Sequence, residues 1–207
     1  MATRLTNITL TIMLSLFGFG SKGQSIKFDS PEIQENISKQ LGKPADVVYH
    51  SVVPFGMGYD AGGRADVYMY KEKIKGVTYI TGDLIGTKQK KSDAGNYELM
   101  VCQKLDNEWG RALISNLSYY TLDASLNSGE TMSLGPFAKG DIVAVVFDKF
   151  YEFTINGKKF GLMLIIGITE KELEWKEKNG GEELIKKFKE SKVYPYTDFD
   201  RKSVVNN

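Results

Sequence analysis

Residues 161–190 read GLMLIIGITEKELEWKEKNGGEELIKKFKE, and three structural signals follow one another within them. Residues 162–168 are almost wholly apolar, the pattern of a central strand covered on both faces. Thr169 and Glu172 then stand at T-x-x-E spacing, which lets a threonine hydroxyl and a glutamate carboxylate cap each other's backbone amides. A helix therefore opens directly from the strand. Gly180-Gly181 breaks it, and residues 182–191 resume helical periodicity with Leu184, Ile185 and Phe188 on one face. A doubly covered strand that feeds two helices requires a sheet beneath them, which sets the fold class.

Upstream, Ser30, Pro31 and Gly42 bracket a helix over 31–41, with Ile33, Ile37 and Leu41 on its buried face. Strands are expected at 47–54, 65–70, 77–81 and 96–104, where Val67, Met69, Tyr79, Leu99 and Val101 fill core positions. A helix over 108–121 is capped by Asn107 or Asp106. It carries Trp109, Leu113, Leu117 and Tyr120 at helical spacing. Strands follow at 131–134, 141–147, 151–155 and 158–160. Asn156-Gly157 joins the last two through a turn that needs positive φ at both central residues. Together these elements predict an α+β fold, a mixed, largely antiparallel sheet flanked by helices, in one domain over 25–207. Residues 1–24 are set apart as a leader. Arg4 precedes an apolar run that ends near Gly18-Phe19-Gly20, the outline of a secretory signal. The run is short and diluted by Thr9, Thr11 and Ser15, so it is not expected to span a membrane, and the expected location is cytoplasmic, with export as the alternative.

Composition narrows the function. Lys and Arg total 27 against 26 Asp and Glu, which disfavours a general nucleic-acid binder. One cysteine and one histidine exclude an internal disulfide and a His/Cys zinc site, and neither a metal nor a cofactor is expected. Any Ser-His-Asp or Cys-His arrangement would have to use His50. His50 falls inside the apolar VVYHSVV pattern with no sequence-adjacent partner to orient it, and Cys102 alternates into a strand face as a buried thiol. The glycines of FGMGYDAGGR lack the spacing of a phosphate loop.

The order of several short pieces carries a resemblance. Arg64-Ala65-Asp66-Val67-Tyr68 places an Asp before an aromatic-containing strand. VTYITGDLIG (77–86), NYELMVC (96–102), the Trp109 helix ending at Tyr119-Tyr120, and SLGPF (133–137) follow in turn. GITEKEL, the Gly180-Gly181 break and TDFDRKSV (197–204) close the series. In this order they resemble the Suppressor of fused (SUFU) domain. The resemblance implies a non-enzymatic protein-binding domain with no cofactor. In animals the family holds a transcription-factor peptide between this domain and a second one. The 207 residues leave no room for that second domain, so the single-domain bacterial form is implied. Such proteins are proposed to act as immunity proteins that bind and block polymorphic toxins.

Candidate partner-binding residues are Asp83 and Asp93 on the polar 83–95 loop, Arg64 beside the glycine loop, and Tyr194 and Tyr196 on the tail. The Lys88-Gln89-Lys90-Lys91 run is expected to be solvated. So are the glutamates at 170, 172, 174, 177, 182 and 183. Arg201 is expected to pair with Asp198 or Asp200. Two alternatives stand beside this reading: an unrecognised enzyme using His50 or Cys102, and an exported envelope interaction protein.

Overall fold

A computed structural model describes residues 21–22 and 30–205. The expected leader at 1–24 lies outside them, apart from Ser21–Lys22. Among the described residues eight strands form one sheet: β1 (Ser21–Lys22), β2 (Pro44–Tyr49), β3 (Val67–Tyr70), β4 (Val77–Thr81), β5 (Asn96–Gln103), β6 (Thr131–Ser133), β7 (Ile142–Ile155) and β8 (Lys158–Thr169). Their order across the sheet is β1-β2-β3-β4-β5-β8-β7-β6. Every neighbouring pair is antiparallel except β5 and β8, which run parallel. The sheet is therefore mixed and largely antiparallel.

Five α-helices accompany it among the described residues: α1 (Pro31–Leu41), α2 (Glu108–Leu117), α3 (Tyr120–Asp123), α4 (Glu170–Asn179) and α5 (Gly181–Glu190). Side chains alternate along each strand, so the sheet has two apolar faces. On one face Tyr70, Ile80, Met100, Leu164 and Ile166 pack with α1 and α5. On the other, Val67, Tyr79, Leu99, Val101 and Met163 meet Leu113, Ile114 and Leu117 of α2. Leu162–Ile166 are fully buried, as a strand covered on both faces requires.

Local signals produce local structure as expected. Ser30 caps α1 by accepting from the Glu32 amide at 3.2 Å. Asn107, not Asp106, caps α2 by accepting from Trp109 at 3.0 Å. Both halves of the Thr169/Glu172 capping box form. Asn156 (φ 50°) and Gly157 (φ 74°) adopt the left-handed conformations that their hairpin needs. Around that turn the expected pairs of short strands merge into β7 and β8, which pair along most of their length.

Other boundaries differ from expectation, each for a visible reason. The strand expected at 47–54 begins at Pro44 and stops at Tyr49. Asp66 captures the Ser51 amide at 3.0 Å and the Ser51 hydroxyl donates to the Val53 carbonyl at 2.7 Å, which turns the chain out of the sheet. The single helix expected over 108–121 divides at Ser118. There the Ser118 and Thr121 hydroxyls donate to the carbonyls three residues back, both at 2.6 Å, competing with the helical ladder. The two C-terminal glycines have separate tasks. Gly180 supplies φ 94° at the break, and Gly181 lets α5 pass so close to Gly129 that a Cβ would collide with its backbone.

The largest departures concern charge. Glu172 is not a solvated helix residue but fully buried. Arg201 pairs with it, through Nη1 at 2.5 Å and Nη2 at 2.6 Å, rather than with Asp198 or Asp200. Asp198 instead accepts from Lys104 at 2.6 Å, which lowers its pKa. Gln89, expected in a solvated run, is buried. Its amide exchanges two hydrogen bonds with the Tyr97 backbone, at 2.8 and 2.9 Å.

Candidate functional site

Beside a cleft of about 470 Å³ lined by Asp93, Lys149 and Lys189 among others, two further surfaces of the described residues carry side chains that a ligand or partner could meet. The first lies where the 50–66 and 82–95 segments approach each other at one end of the sheet. His50 follows the end of β2, and its Nδ1 lies 2.6 Å from Asp66 Oδ2. The other Asp66 oxygen accepts from the Ser51 amide, and the Asp66 amide donates to Asp83 Oδ2 at 2.7 Å. The imidazole thus has the orienting carboxylate that no neighbour in sequence supplied. These residues line an open cleft of about 350 Å³ together with Phe55, Ile85 and Thr87. Val52, Met57 and Tyr59 stand exposed on the same glycine-rich segment. Beneath the cleft floor, Glu98 is fully buried and accepts from the Leu84 and Ile85 amides at 3.0 and 2.8 Å and from the Thr81 hydroxyl at 2.6 Å.

The cleft holds an oriented imidazole without an assembled nucleophile. The Ser51 hydroxyl is committed to a carbonyl. Cys102 is fully buried against Thr78, and burial pushes its thiol up to about 12. Among the described residues no group of three or more His, Cys, Asp or Glu side chains is placed to hold a metal ion, and no helix is long and apolar enough to cross a membrane.

The second surface is the opposite sheet edge. Among the described residues β6 ends the strand order and pairs with β7. A groove of about 390 Å³ runs beside it, lined by Tyr120, Leu126, Glu130, Thr131, Met132 and Lys176, among others. Tyr120 is 39% exposed, a large share for an aromatic ring. Lys176 of α4 donates to the Thr131 hydroxyl at 3.1 Å and closes one wall. Sequence reading missed this groove because its residues come from α3, the 124–130 segment, β6 and α4. Tyr120, expected at helical spacing with Trp109, Leu113 and Leu117 on a single helix, stands instead on the separate α3 and is exposed.

The sequence-chosen residues do not form one patch. Arg64 donates to Asn116 Oδ1 at 3.0 Å and to the Gly63 carbonyl at 2.7 Å, with its guanidinium over Tyr59 and Tyr119. Asp83 fastens the Asp66 amide. Asp93 accepts from the Ser128 amide at 3.2 Å, in the turn that leads into β6. Tyr194 stacks on Phe150 and lies under the Lys189 ammonium, and burial raises its phenol pKa. Tyr196 bridges to Cys102, and next to it Thr197 donates to the Cys102 carbonyl while accepting from the Gly167 amide. The tail thus fills the gap where β5 and β8 diverge.

The family model described as Suppressor of fused protein (SUFU) matches residues 64–202, which is most of the chain. The chain belongs to the Suppressor of fused family. Solved SUFU structures share its fold. One is a protein from Neisseria gonorrhoeae proposed to be a SUFU homologue, 16% identical, with a TM-score of 0.57 over 84% of this chain and 96% of that one. Another is a chain of the Sufu–Fu complex, 13% identical, with a TM-score of 0.59 over 84% of this chain and 89% of that one. Drosophila Suppressor of Fused is 11% identical with a TM-score of 0.61, and this SUFU chain spans 50% of its length. At such identities the likeness is one of fold. No curated protein matches the sequence.

Proposed function

We propose that this SUFU domain is a non-catalytic protein-binding module that takes an extended segment of a protein partner beside β6. The partner is a toxin that the domain occludes in the cytoplasm, acting as an immunity protein. The observation that carries the binding mode is the open β6 edge with an aromatic-walled groove next to it. An edge strand offers unpaired amides and carbonyls to an incoming strand, and alternate side chains of that strand enter pockets. Tyr120 is the aromatic anchor, and Glu130 and Lys176 supply polar selection at the rim. The Sufu–Fu complex supports the reading, because a relative of the same fold engages a protein. Asp93 lines a separate cleft beside α5 and reaches this surface only through the Ser128 amide in the turn before β6. Arg64, Asp83, Tyr194 and Tyr196 serve as contacts only for a partner that extends beyond it, since a standard interface covers on the order of 800 Å² per side.

Co-purification with the products of neighbouring genes, followed by titration calorimetry, tests this. Tyr120→Ala and Glu130→Lys, both at exposed positions, should each weaken the complex about tenfold or more while leaving the melting temperature of the free domain near that of wild type. Unchanged affinity in both variants would remove β6 as the docking edge. A second reading is favoured by one observation, the His50–Asp66 pair in an open cleft, which could serve general-base chemistry. Turnover in a hydrolase panel that disappears in His50→Ala would select it over the binding module.

A further inference from the structure

We propose that Lys176 makes the β6 edge selective: the strand it takes carries an apolar residue opposite Met132, then an acidic residue opposite Thr131 that pairs with the Lys176 ammonium, then a basic residue opposite Glu130. This selectivity rests on β6 being the docking edge, as proposed above. Pairing within the sheet decides which backbone groups the edge can offer. The Gly129 amide donates to the Phe147 carbonyl and the Phe147 amide to the Glu130 carbonyl, at 2.8 and 3.0 Å, and the Leu134 amide donates to the Val143 carbonyl at 2.9 Å. Met132 stands between them, opposite Val145. Hydrogen-bonding residues alternate along an antiparallel pair, so Glu130, Met132 and Leu134 turn their polar backbone toward β7, while Thr131 and Ser133 turn theirs outward. An antiparallel strand added there bonds Thr131 and Ser133 and sets one side chain directly opposite each side chain of β6, near enough to touch it.

The edge side chains then fix the order. Met132 packs on the α2 side of the core and lines the groove with Tyr120 and Leu126, so the residue opposite it is apolar. Lys176 lines the same groove and donates to the neutral Thr131 hydroxyl at 3.1 Å. Among the described residues its ammonium forms no ion pair. Its own helix cannot supply one. The positions one turn away are Leu173, Asn179, Gly180 and Glu172, and Glu172 is buried and held by Arg201. A cation left unpaired beside an apolar groove favours an anion that arrives with the strand. Glu130 carries the opposite charge one position along. Its exposed carboxylate accepts from the Asn127 amide at 2.9 Å and from the Asn127 side chain at 3.3 Å, and it too forms no ion pair among the described residues. Acidic then basic satisfies both groups, whereas the exchanged order meets like charge at each.

Display of short random peptides against the immobilised full chain tests this, with amide spectra locating each selected peptide. Peptides that shift the Thr131 and Ser133 amides should share the order apolar, acidic, basic. Replacing the acidic residue by its amide should weaken a selected peptide about threefold or more. Against Lys176→Glu the same library should select a basic residue at that position, and against Lys176→Met, which keeps the apolar stem, no charge. Peptides that dock at Thr131 and Ser133 without a preference at that position, or with the acidic preference intact in Lys176→Met, overturn this selectivity and leave β6 as the docking edge. A library from which no peptide reaches those two amides overturns both. Where Lys176→Glu fails to fold, the methionine variant decides.

Discussion

Replacing Arg201 with methionine isolates the contribution of the ion pair that fastens the C-terminal tail. Glu172 is fully buried and accepts four hydrogen bonds: Arg201 Nη1 at 2.5 Å and the Val204 amide at 2.9 Å on Oε1, and Arg201 Nη2 at 2.6 Å and the Thr169 amide at 2.9 Å on Oε2. Nη2 also donates to the Gly167 carbonyl of β8 at 2.8 Å, and the guanidinium lies over Phe188 of α5. Methionine keeps an apolar stem over Phe188 but leaves a buried carboxylate without its counter-charge. Breaking a buried pair from one side costs about 3–5 kcal/mol. With a urea slope of about 1–3 kcal/mol per molar, the unfolding midpoint should fall by about 1–5 M. Hydrogen exchange should accelerate through residues 192–205, which the pair holds. Adding Glu172→Gln removes the stranded charge and should recover more than about 1 kcal/mol of that loss. Lys202→Met, at an exposed neighbour, serves as the control. A loss below about 1 kcal/mol for Arg201→Met, the scale of a solvent-screened pair, would refute the claim that this contact anchors the tail.

Three further outcomes are expected. Gly181→Ala should destabilise by more than about 1 kcal/mol in the same urea assay, because its Cβ meets the Gly129 backbone rather than a side chain that can move. The Cys102 thiol, pushed up to about 12 from an ordinary 9.0, has its thiolate fraction near neutral pH cut about a thousandfold. Maleimide or disulfide reagents should therefore label it only in denaturant, as intact mass would report. For Glu98 the folded value of about 8 lies above its ordinary 4.5, so folding takes up a proton between those values. That contribution is fully present below 4.5 and is lost as pH rises through about 8, with a slope of at most about 1.4 kcal/mol per pH unit. Urea titrations across this window should show the decline in wild type and its absence in Glu98→Gln.

Much of the secondary structure was legible in short windows of the chain. The capping box at Thr169, the Ser30 cap and the Asn156-Gly157 turn each depend on groups within a few residues, so their chemistry reads directly from their order. The apolar run of β8 announced a doubly covered strand for the same reason, and the order of the pieces was enough to name the family. Boundaries shifted where a distant carboxylate or a helix hydroxyl competed for backbone groups, as at Ser51 and Ser118.

The candidate surfaces were far less visible. His50 looked solitary because its carboxylate stands 16 positions away, and Glu172 looked solvated because Arg201 reaches it from 29 positions away. That β5 and β8 pair in parallel, and that β6 is left at the rim with Tyr120 beside it, are likewise products of assembly. The chain's own order determined its elements, its two apolar faces and its family, since caps, turns and periodicity act over a few bonds. Tertiary structure alone decided which charges are buried together, which strand stays open and which loop rests on Glu98, because desolvation and pairing depend on proximity in space.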